Sequence, residues 1–217
     1  MHEASSALPA PSPASSYESW DIAARGVGAA YQILNAIIVP RPIAFVTTVA
    51  ETGVVNAAPF SYFNGVTASP PMISISIGRR GTERKDTSRN LARTGEFVVN
   101  VSTVALARAL SVAAGDFPAD VSEAQKTGLA LLPGQAVRVP RIANSPVHLE
   151  CILDRIIEVG DGPVDLVLGR VVLVHVRKDL LDEEGRIVTE RLDPLARLAG
   201  LQFAPLGPPF EVPRGES

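Results

Sequence analysis

Alternating apolar and polar positions predict strands across the middle of the chain. The strongest strand signals are the apolar, β-branched runs at residues 43–49 and 54–58, and Glu51-Thr52-Gly53 between them is typical of a hairpin turn. In residues 72–77, Met-Ile-Ser-Ile-Ser-Ile, the isoleucines fall on one face of a strand and the Met and Ser residues on the other. Further strand-like runs occupy residues 96–101, 147–153 and 164–176. We therefore expect at least six strands.

Helix signals are fewer than strand signals. Asp86 is a suitable N-cap for a helix over residues 87–93, and Gly95 is a suitable stop. Shorter helical segments are predicted at residues 105–113, 122–127 and 195–198. Strand-rich segments that are separated by Gly and Pro turns, with helices inserted between them, favour a mainly β fold. We expect an antiparallel barrel with inserted helices rather than a doubly wound parallel sheet.

The two ends of the chain differ from its middle. Residues 4–16 contain only Ala, Ser, Pro and one Leu, which predicts a flexible tail over residues 1–19. Residues 205–217 contain four prolines and end in Arg-Gly-Glu-Ser, which predicts an extended C-terminal strap. The folded domain is expected to span residues 20–204.

Charge and composition narrow the classes of function. With 20 Lys and Arg against 23 Asp and Glu, the chain has no general basic field for nucleic acid or for an anionic membrane. The single cysteine, Cys151, and three scattered histidines predict neither an internal disulfide nor a metal site. The chain also has no leader-like start and no apolar run of about 18 residues. We therefore expect a soluble cytoplasmic protein.

The common catalytic signatures are absent from the chain. We find no G-x-S-x-G, H-E-x-x-H, Walker A or G-x-G-x-x-G pattern. His148 and His175 are interpreted as structural strand residues, and no catalytic side chain is predicted.

The segment from residue 41 to residue 87 is the most informative for binding. Arg79, Arg80, Arg84 and Lys85 precede a predicted helix start, where free amide groups and the helix dipole favour an anion. A solvated charged loop is the alternative interpretation. Other polar residues of this segment are expected to converge on the same anion, namely Arg41, Thr47, Thr48, Asn56, Ser61 and Thr87. The residues alone thus predict a phosphate-bearing ligand in a small barrel.

The run RPIAFVTTVAETGVVNAAPFSYFNGVTASPPMISISIG, followed by GTERKDTSRNLARTGEFVVNV, resembles the flavin reductase-like, FMN-binding split-barrel family. The resemblance continues through SPVHLEC at residues 145–151 and LDPLARLAG at residues 192–200, so it covers about residues 30–205. It implies an antiparallel Greek-key split barrel and a homodimer that holds FMN in a groove at the subunit interface.

The resemblance also implies residue roles. Flavin or its ribityl phosphate is expected at Thr47, Thr48, Asn56, Ala57 and Ala58, and the isoalloxazine ring beside the loop at Phe60 and Ser61. Lys85, Asp86 and Thr87 match a phosphate clamp at a helix start, to which Arg41 is expected to add charge. Asp86 is expected to cap the helix rather than to touch phosphate, because two anions repel each other.

The implied function is an FMN-dependent oxidoreductase that uses NAD(P)H to reduce a flavin or another small-molecule acceptor. Such chemistry belongs to the cofactor, which agrees with the lack of a catalytic triad. Two alternatives stay open: an FMN-bearing electron-transfer protein that is reduced by a protein partner, and a split-barrel scaffold for haem or a relative of pyridoxal phosphate. Residues 198–203, Leu-Ala-Gly-Leu-Gln-Phe, depart from the family's two glycines and aromatic pair, which leaves the acceptor open.

Overall fold

The structure is a computed structural model of the protein and describes residues 17–115, 117–118 and 121–212. Most of the predicted tail and the end of the predicted strap lie outside these residues, so both stay predictions. The strands are β1 (Arg41–Pro42), β2 (Ala44–Val49), β3 (Val55–Phe60), β4 (Phe63–Ala68), β5 (Pro71–Gly78), β6 (Glu96–Val101), β7 (Leu131–Leu132), β8 (Arg141–Ile142), β9 (Val147–Val159), β10 (Val164–Val176), β11 (Leu195–Arg197) and β12 (Phe203–Pro205). The helices are α1 (Ile22–Ile37), α2 (Asp86–Thr94), α3 (Ala107–Ala113), α4 (Glu123–Lys126) and α5 (Thr189–Leu192).

Seven strands form one antiparallel sheet in the order β3-β2-β6-β9-β10-β5-β4. The sheet curls until β3 contacts β5, which closes a barrel that is split at this point. Strands β1, β11 and β12 form a separate small sheet, and β7 pairs with β8. The predicted mainly β, antiparallel architecture is confirmed.

Apolar side chains fill the interior of the barrel. Ile73, Ile75 and Ile77 of β5 are all buried there, which confirms the predicted face of this strand. Phe97 is fully buried in the same cluster and lies over Gly169 of β10, where an added Cβ would come within 2.7 Å of its ring. The interior of the barrel is therefore a packed apolar core.

Helices α3 and α4 cover the outer face of the sheet beside its β3 edge. Phe45 of β2 and Ala57 of β3 are fully buried against Leu110 and Ala113 of α3 and Ala124 of α4. This second apolar layer holds α4 against β3, so that Ser122 and Glu123 at the start of α4 reach the backbone of that strand.

The segment from residue 133 to residue 142 crosses the outer face of β6 and β9. Glu150 is fully buried and accepts hydrogen bonds from the backbone amides of residues 135, 136 and 137 and from His175. Burial favours the protonated acid, but these hydrogen bonds outweigh it and hold the pKa of Glu150 below its usual value. The His148 ring lies 2.8 Å from the carbonyl of Ile142, so both histidines have structural partners, as expected.

Four local expectations need correction. Helix α1 was not predicted; its sequence contains Gly26 and Gly28, and Gly26 breaks the helix at a φ of 78°. Strand β4 was not predicted either, and it pairs with β5. The helical turn predicted at residues 195–198 is wrong, because residues 195–197 pair as β11 with β1, a partner that is remote in sequence.

The predicted N-cap of α2 is also wrong. Lys85 occupies the N-cap position, and Asp86 is the first helical residue, where its carboxylate pairs with Arg89 instead of capping the helix. An acidic residue in the first turn still interacts favourably with the helix dipole. Gly95 ends the helix with a φ of 68°, as expected for a C-cap glycine.

Candidate functional site

A buried polar network joins α2 to the ends of β2 and β3. The Asn56 side-chain amide donates to the hydroxyl of Thr87 at 3.0 Å and to that of Thr48 at 3.3 Å. Asn90, one turn after Thr87, donates to the Thr48 hydroxyl at 3.0 Å. These four side chains are at most 7% exposed, so the network fixes the start of α2 against the barrel. The structure thus brings together Thr48, Asn56 and Thr87, which the sequence singled out.

The start of α2 carries several donors without a protein acceptor. In the part of the chain that the structure describes, no side chain caps the helix, although its first amide groups have no partner within the helix. The hydroxyl of Ser88 is buried and has no hydrogen-bond partner among the described residues. Lys85 is half-buried and forms no ion pair within the described part of the chain. These donors suit an anion.

Most of the preceding cation-rich loop has an internal partner. Arg79 donates to the carboxylate of Asp165 at 2.6 Å and to that of Glu158 at 2.5 Å, and Arg84 approaches Asp165 to 3.3 Å. Asp165 is fully buried on β10 and lies opposite Ile77 of β5. One carboxylate therefore holds both sides of the turn at residues 80–83, and this loop leads directly into Lys85.

Arg41 and Ser61 lie at the other end of β3. The Nε of Arg41 donates to the Ser61 hydroxyl at 3.3 Å, and the guanidinium lies 5.8 Å from the centroid of the Tyr62 ring. The four residue steps from Asn56 to Phe60 span about 14 Å. Arg41 is thus remote from the helix start within one chain, so the structure does not bring it together with the Lys85 group, and its expected role there stays a prediction.

The remaining predicted residues lie along β2 and β3. Thr47 and Ala57 are fully buried on the outer face, where the Thr47 hydroxyl donates to the Pro140 carbonyl at 2.7 Å. Ala58 is half-buried, and Phe60 is a core residue that ends β3 rather than part of a loop. The predicted set therefore forms two groups at opposite ends of one edge strand, joined by buried strand residues.

Two side chains that the sequence did not single out satisfy the free edge of β3. Glu123 accepts from the Ala57 amide at 3.1 Å, and the Ser122 hydroxyl donates to the Val55 carbonyl at 2.7 Å. Burial raises the pKa of Glu123, and the nearby Asp86 adds to this effect. Neither role has a signal in the sequence, because each depends on a contact between remote segments.

Two cavities flank this arrangement. A cavity of about 210 Å³ lies at the α2 end and is lined by Asn56, Asp86, Asn90 and Glu123, among others. A cavity of about 960 Å³ lies at the Arg41 end, between α1, α3 and the turn from β11 to β12. The two predicted groups of residues each contribute to one of them.

The sequence model of the flavin reductase like domain matches residues 36–196. The chain belongs to the flavin reductase-like family. Component B of nitrilotriacetate monooxygenase from Bacillus cereus is 41% identical, with a TM-score of 0.88 over 92% of this chain and 100% of that one. The 2-nitrobenzoate 2-nitroreductase NbaA of Pseudomonas fluorescens is 29% identical, with a TM-score of 0.83 over 91% and 96%.

The fold of this family member is a split barrel. A protein of Shewanella frigidimarina with a split barrel domain superposes with a TM-score of 0.77 at 19% identity, over 89% of this chain and 96% of that one. Within the described residues, no helix is long and apolar enough to cross a membrane. The same residues bring no three His, Cys, Asp or Glu side chains together as a metal site.

Proposed function

We propose that this protein is an FMN-dependent oxidoreductase that takes electrons from NAD(P)H. The observation that carries the proposal is the start of α2, where Lys85 occupies the N-cap position and, within the described residues, no side chain caps the first amides of the helix. This donor set suits a phosphate monoester. Family membership supports a flavin as the group that bears it.

The phosphate end of FMN is assigned to the start of α2. Lys85 supplies the charge, and Thr87 and the first amides of the helix lie beside it. Asp86 is turned to Arg89, so it neutralises a neighbouring cation instead of facing the phosphate. Thr48 and Asn56 act through the buried network that holds α2 in place, and Thr47 supports the same strand from its outer face.

The ring end of FMN is assigned to the far part of β3, where Ala58, Phe60 and Ser61 lie. When bound, FMN supplies the chemistry by accepting electrons as hydride from a reduced nicotinamide and passing them to an acceptor. The protein binds and orients both partners. The guanidinium of Arg41 favours negative charge at this end of the site.

Similar proteins support an oxidoreductase of this kind. One is named as a nitroreductase and another as a monooxygenase component, and both cover more than nine tenths of this chain. We also propose a homodimer, in agreement with apolar side chains of α1 that point to solvent: Val27 is 88% exposed and Ile37 is 67% exposed.

A comparison of FMN with riboflavin tests the assignment of the phosphate. We expect Lys85→Ala to weaken FMN about ten-fold or more while riboflavin affinity stays unchanged, because only FMN carries the phosphate and a charge-assisted hydrogen bond is lost. The measurement is a fluorescence titration of each flavin. Lys178→Ala is the matched control, because it removes an exposed cation that follows β10 and lies outside the proposed site. Equal loss for both flavins contradicts the clamp.

Anaerobic NADH or NADPH added to the FMN-loaded protein tests the electron donor. The proposed function predicts that the visible flavin bands bleach. Bands that persist with either nucleotide, but bleach with a protein donor, instead favour the electron-transfer alternative. A protein that binds no flavin under any of these conditions contradicts the proposed function as a whole.

A further inference from the structure

The larger cavity has an unusual distribution of charge. It is lined by Tyr31 and Asn35 of α1, by Ser61, by Ser111 of α3, and by Arg197 and Phe203 of the small sheet, among others. Arg41 also lines it, whereas no Asp or Glu does within the described part of the chain. Its volume of about 960 Å³ is that of a ligand site rather than of a packing defect.

The two arginines of this cavity face each other across paired strands. Arg41 of β1 is directly opposite Arg197 of β11 in the antiparallel register. Like charges at directly opposite positions destabilise a sheet, and the positive charge of Arg41 contributes to lowering the pKa of Arg197 after burial, which is the larger cause. The fold therefore places two cations next to each other, and their repulsion lowers the stability of the folded protein.

No carboxylate in the described structure offsets this cost. Arg41 is 5% exposed and donates to the carbonyls of Asn35, Ile38 and Leu198 and to the hydroxyl of Ser61, all of which are neutral. Arg197 donates to the Gly200 carbonyl and packs 4.5 Å from the Phe203 ring centroid. Buried charges in proteins are normally paired, and Arg41 is the buried member of this pair, whereas Arg197 is only partly buried. The cavity therefore presents positive charge that no protein carboxylate in the described structure balances.

The free donors of the pair lie on Arg197. A guanidinium has five N–H groups. Within the described residues, Arg197 donates one hydrogen bond to a protein acceptor, so its other N–H groups are available to a ligand. Arg41 is held rigidly by its four acceptors and contributes charge rather than free donors. A planar guanidinium beside an aromatic ring suits a carboxylate that is attached to a flat ring, because the fork matches the carboxylate and the ring can stack.

We propose that the Arg41–Arg197 pair binds the carboxylate of a small aromatic acid, with Arg197 as the direct ligand. The site adjoins Ser61, at the ring end of the proposed flavin site, so the acid is the class of acceptor in the proposed function and this assignment of its role rests on that function. The binding itself requires only the cavity and its charges. It can therefore be measured with and without flavin.

Benzoate and benzamide form a suitable pair of probes, because they have the same ring and differ in charge. In calorimetric titrations of the protein with and without FMN, we expect benzoate to bind at least ten-fold more tightly than benzamide. Arg197→Met should abolish this preference, and Arg197→Lys should keep part of it because the charge remains. Arg170→Met is the matched control, since Arg170 lies on β10 outside the cavity lining and its side chain is 54% exposed.

The outcomes separate this site from the proposed function. Equal binding of the two probes, or an undiminished preference in Arg197→Met, overturns the anion site. Inorganic phosphate that binds while benzoate does not also overturns it, in favour of a nucleotide phosphate as the missing anion. A benzoate preference that depends on Arg197 in a protein unable to bind FMN supports the site and overturns the proposed function alone.

Discussion

Glu123 places an ionisable carboxylate against the backbone of an edge strand. It accepts the Ala57 amide in a buried position, so the ionised form is poorly solvated. Burial raises its pKa in the folded protein above the usual value of 4.5. The folded state consequently binds a proton at Glu123 more readily than the unfolded chain does, and this group favours folding more as the pH falls.

Glu123→Gln isolates this effect at a single residue. Glutamine keeps the acceptor for the Ala57 amide but carries no charge, so we expect the variant to be at least as stable as the wild type at pH 8. As the pH falls toward 4.5, the wild type gains stability relative to the variant, because Glu123 takes up its proton. Urea unfolding of both proteins across this range measures the difference. A difference that does not change with pH contradicts the raised pKa.

Individual residues show what sequence reasoning can and cannot find. Thr48, Asn56 and Thr87 were singled out together, and the structure joins them through hydrogen bonds. Arg197 and Glu123 were missed, because a partner on a remote strand or segment gives each its setting. Arg41 was also singled out, but the structure places it beside Ser61, at the opposite end of β3 from Lys85, because a sequence pattern does not say at which end of a strand a side chain lies.

The loop at residues 79–85 shows how a buried ion cluster determines the position of a functional element. Arg79 follows β5 directly and Arg84 precedes Lys85, and both meet the carboxylate of Asp165. The charge-rich sequence suggested either an anion site or a solvated loop. In the structure Arg79 and Arg84 pair with Asp165 and hold the loop, whereas Lys85 forms no ion pair within the described residues, which agrees with the proposed phosphate site.

Asp165→Asn removes the charge from this cluster and keeps its size. We expect a loss of about 3 kcal/mol in the free energy of unfolding, because two arginines lose their buried counter-ion. Since the loop carries Lys85, FMN affinity should fall by a larger factor than riboflavin affinity. Urea unfolding and the two flavin titrations measure these effects.

Glu158→Gln provides the control for this variant. Glu158 also contacts Arg79, but its side chain is 58% exposed, so its replacement should change stability by less than about 1 kcal/mol. An Asp165→Asn protein that loses FMN and riboflavin affinity by the same factor would show that the cluster stabilises the barrel without positioning Lys85.

Whole elements were predicted well where their pattern is local and poorly where it is not. The turn residues between two apolar runs predict the hairpin of β2 and β3. The alternation of Ile with Met and Ser predicts strand β5. Strand β11 has three residues and is stabilised by its pairing with β1 and β12. A short local run of Leu, Ala and Arg gives no sign of these remote partners, so the prediction of a helical turn there is wrong. Helix α1 was not predicted because Gly26 and Gly28 are unfavourable within a helix.

At the scale of the whole molecule, several apolar side chains of α1 are exposed to solvent, and their burial against another protein surface would be favourable. Val27 and Tyr31 are 88% and 64% exposed on this helix. Several exposed apolar side chains on one helix are typical of an interface between proteins. They agree with the homodimer that the resemblance implies.

Light scattering during size-exclusion chromatography tests the homodimer. We expect twice the mass of the 22.9 kDa chain for the wild type. Val27→Asp should shift the protein toward the monomer, because a desolvated carboxylate in an apolar interface is costly. Glu183→Asp, a conservative change at an exposed position, should leave the dimer intact. A wild-type monomer that binds FMN with full affinity would contradict a shared site.

The contact between Phe97 and Gly169 has a consequence for how this sequence can diverge. The ring fills the space that a side chain at residue 169 would need, inside the packed apolar core of the barrel. Alanine at position 169 becomes tolerable only after a smaller residue has replaced Phe97. Among descendants of this chain, the two positions should thus change in a fixed order, whereas residues that line the larger cavity outside the barrel can vary without disturbing the core.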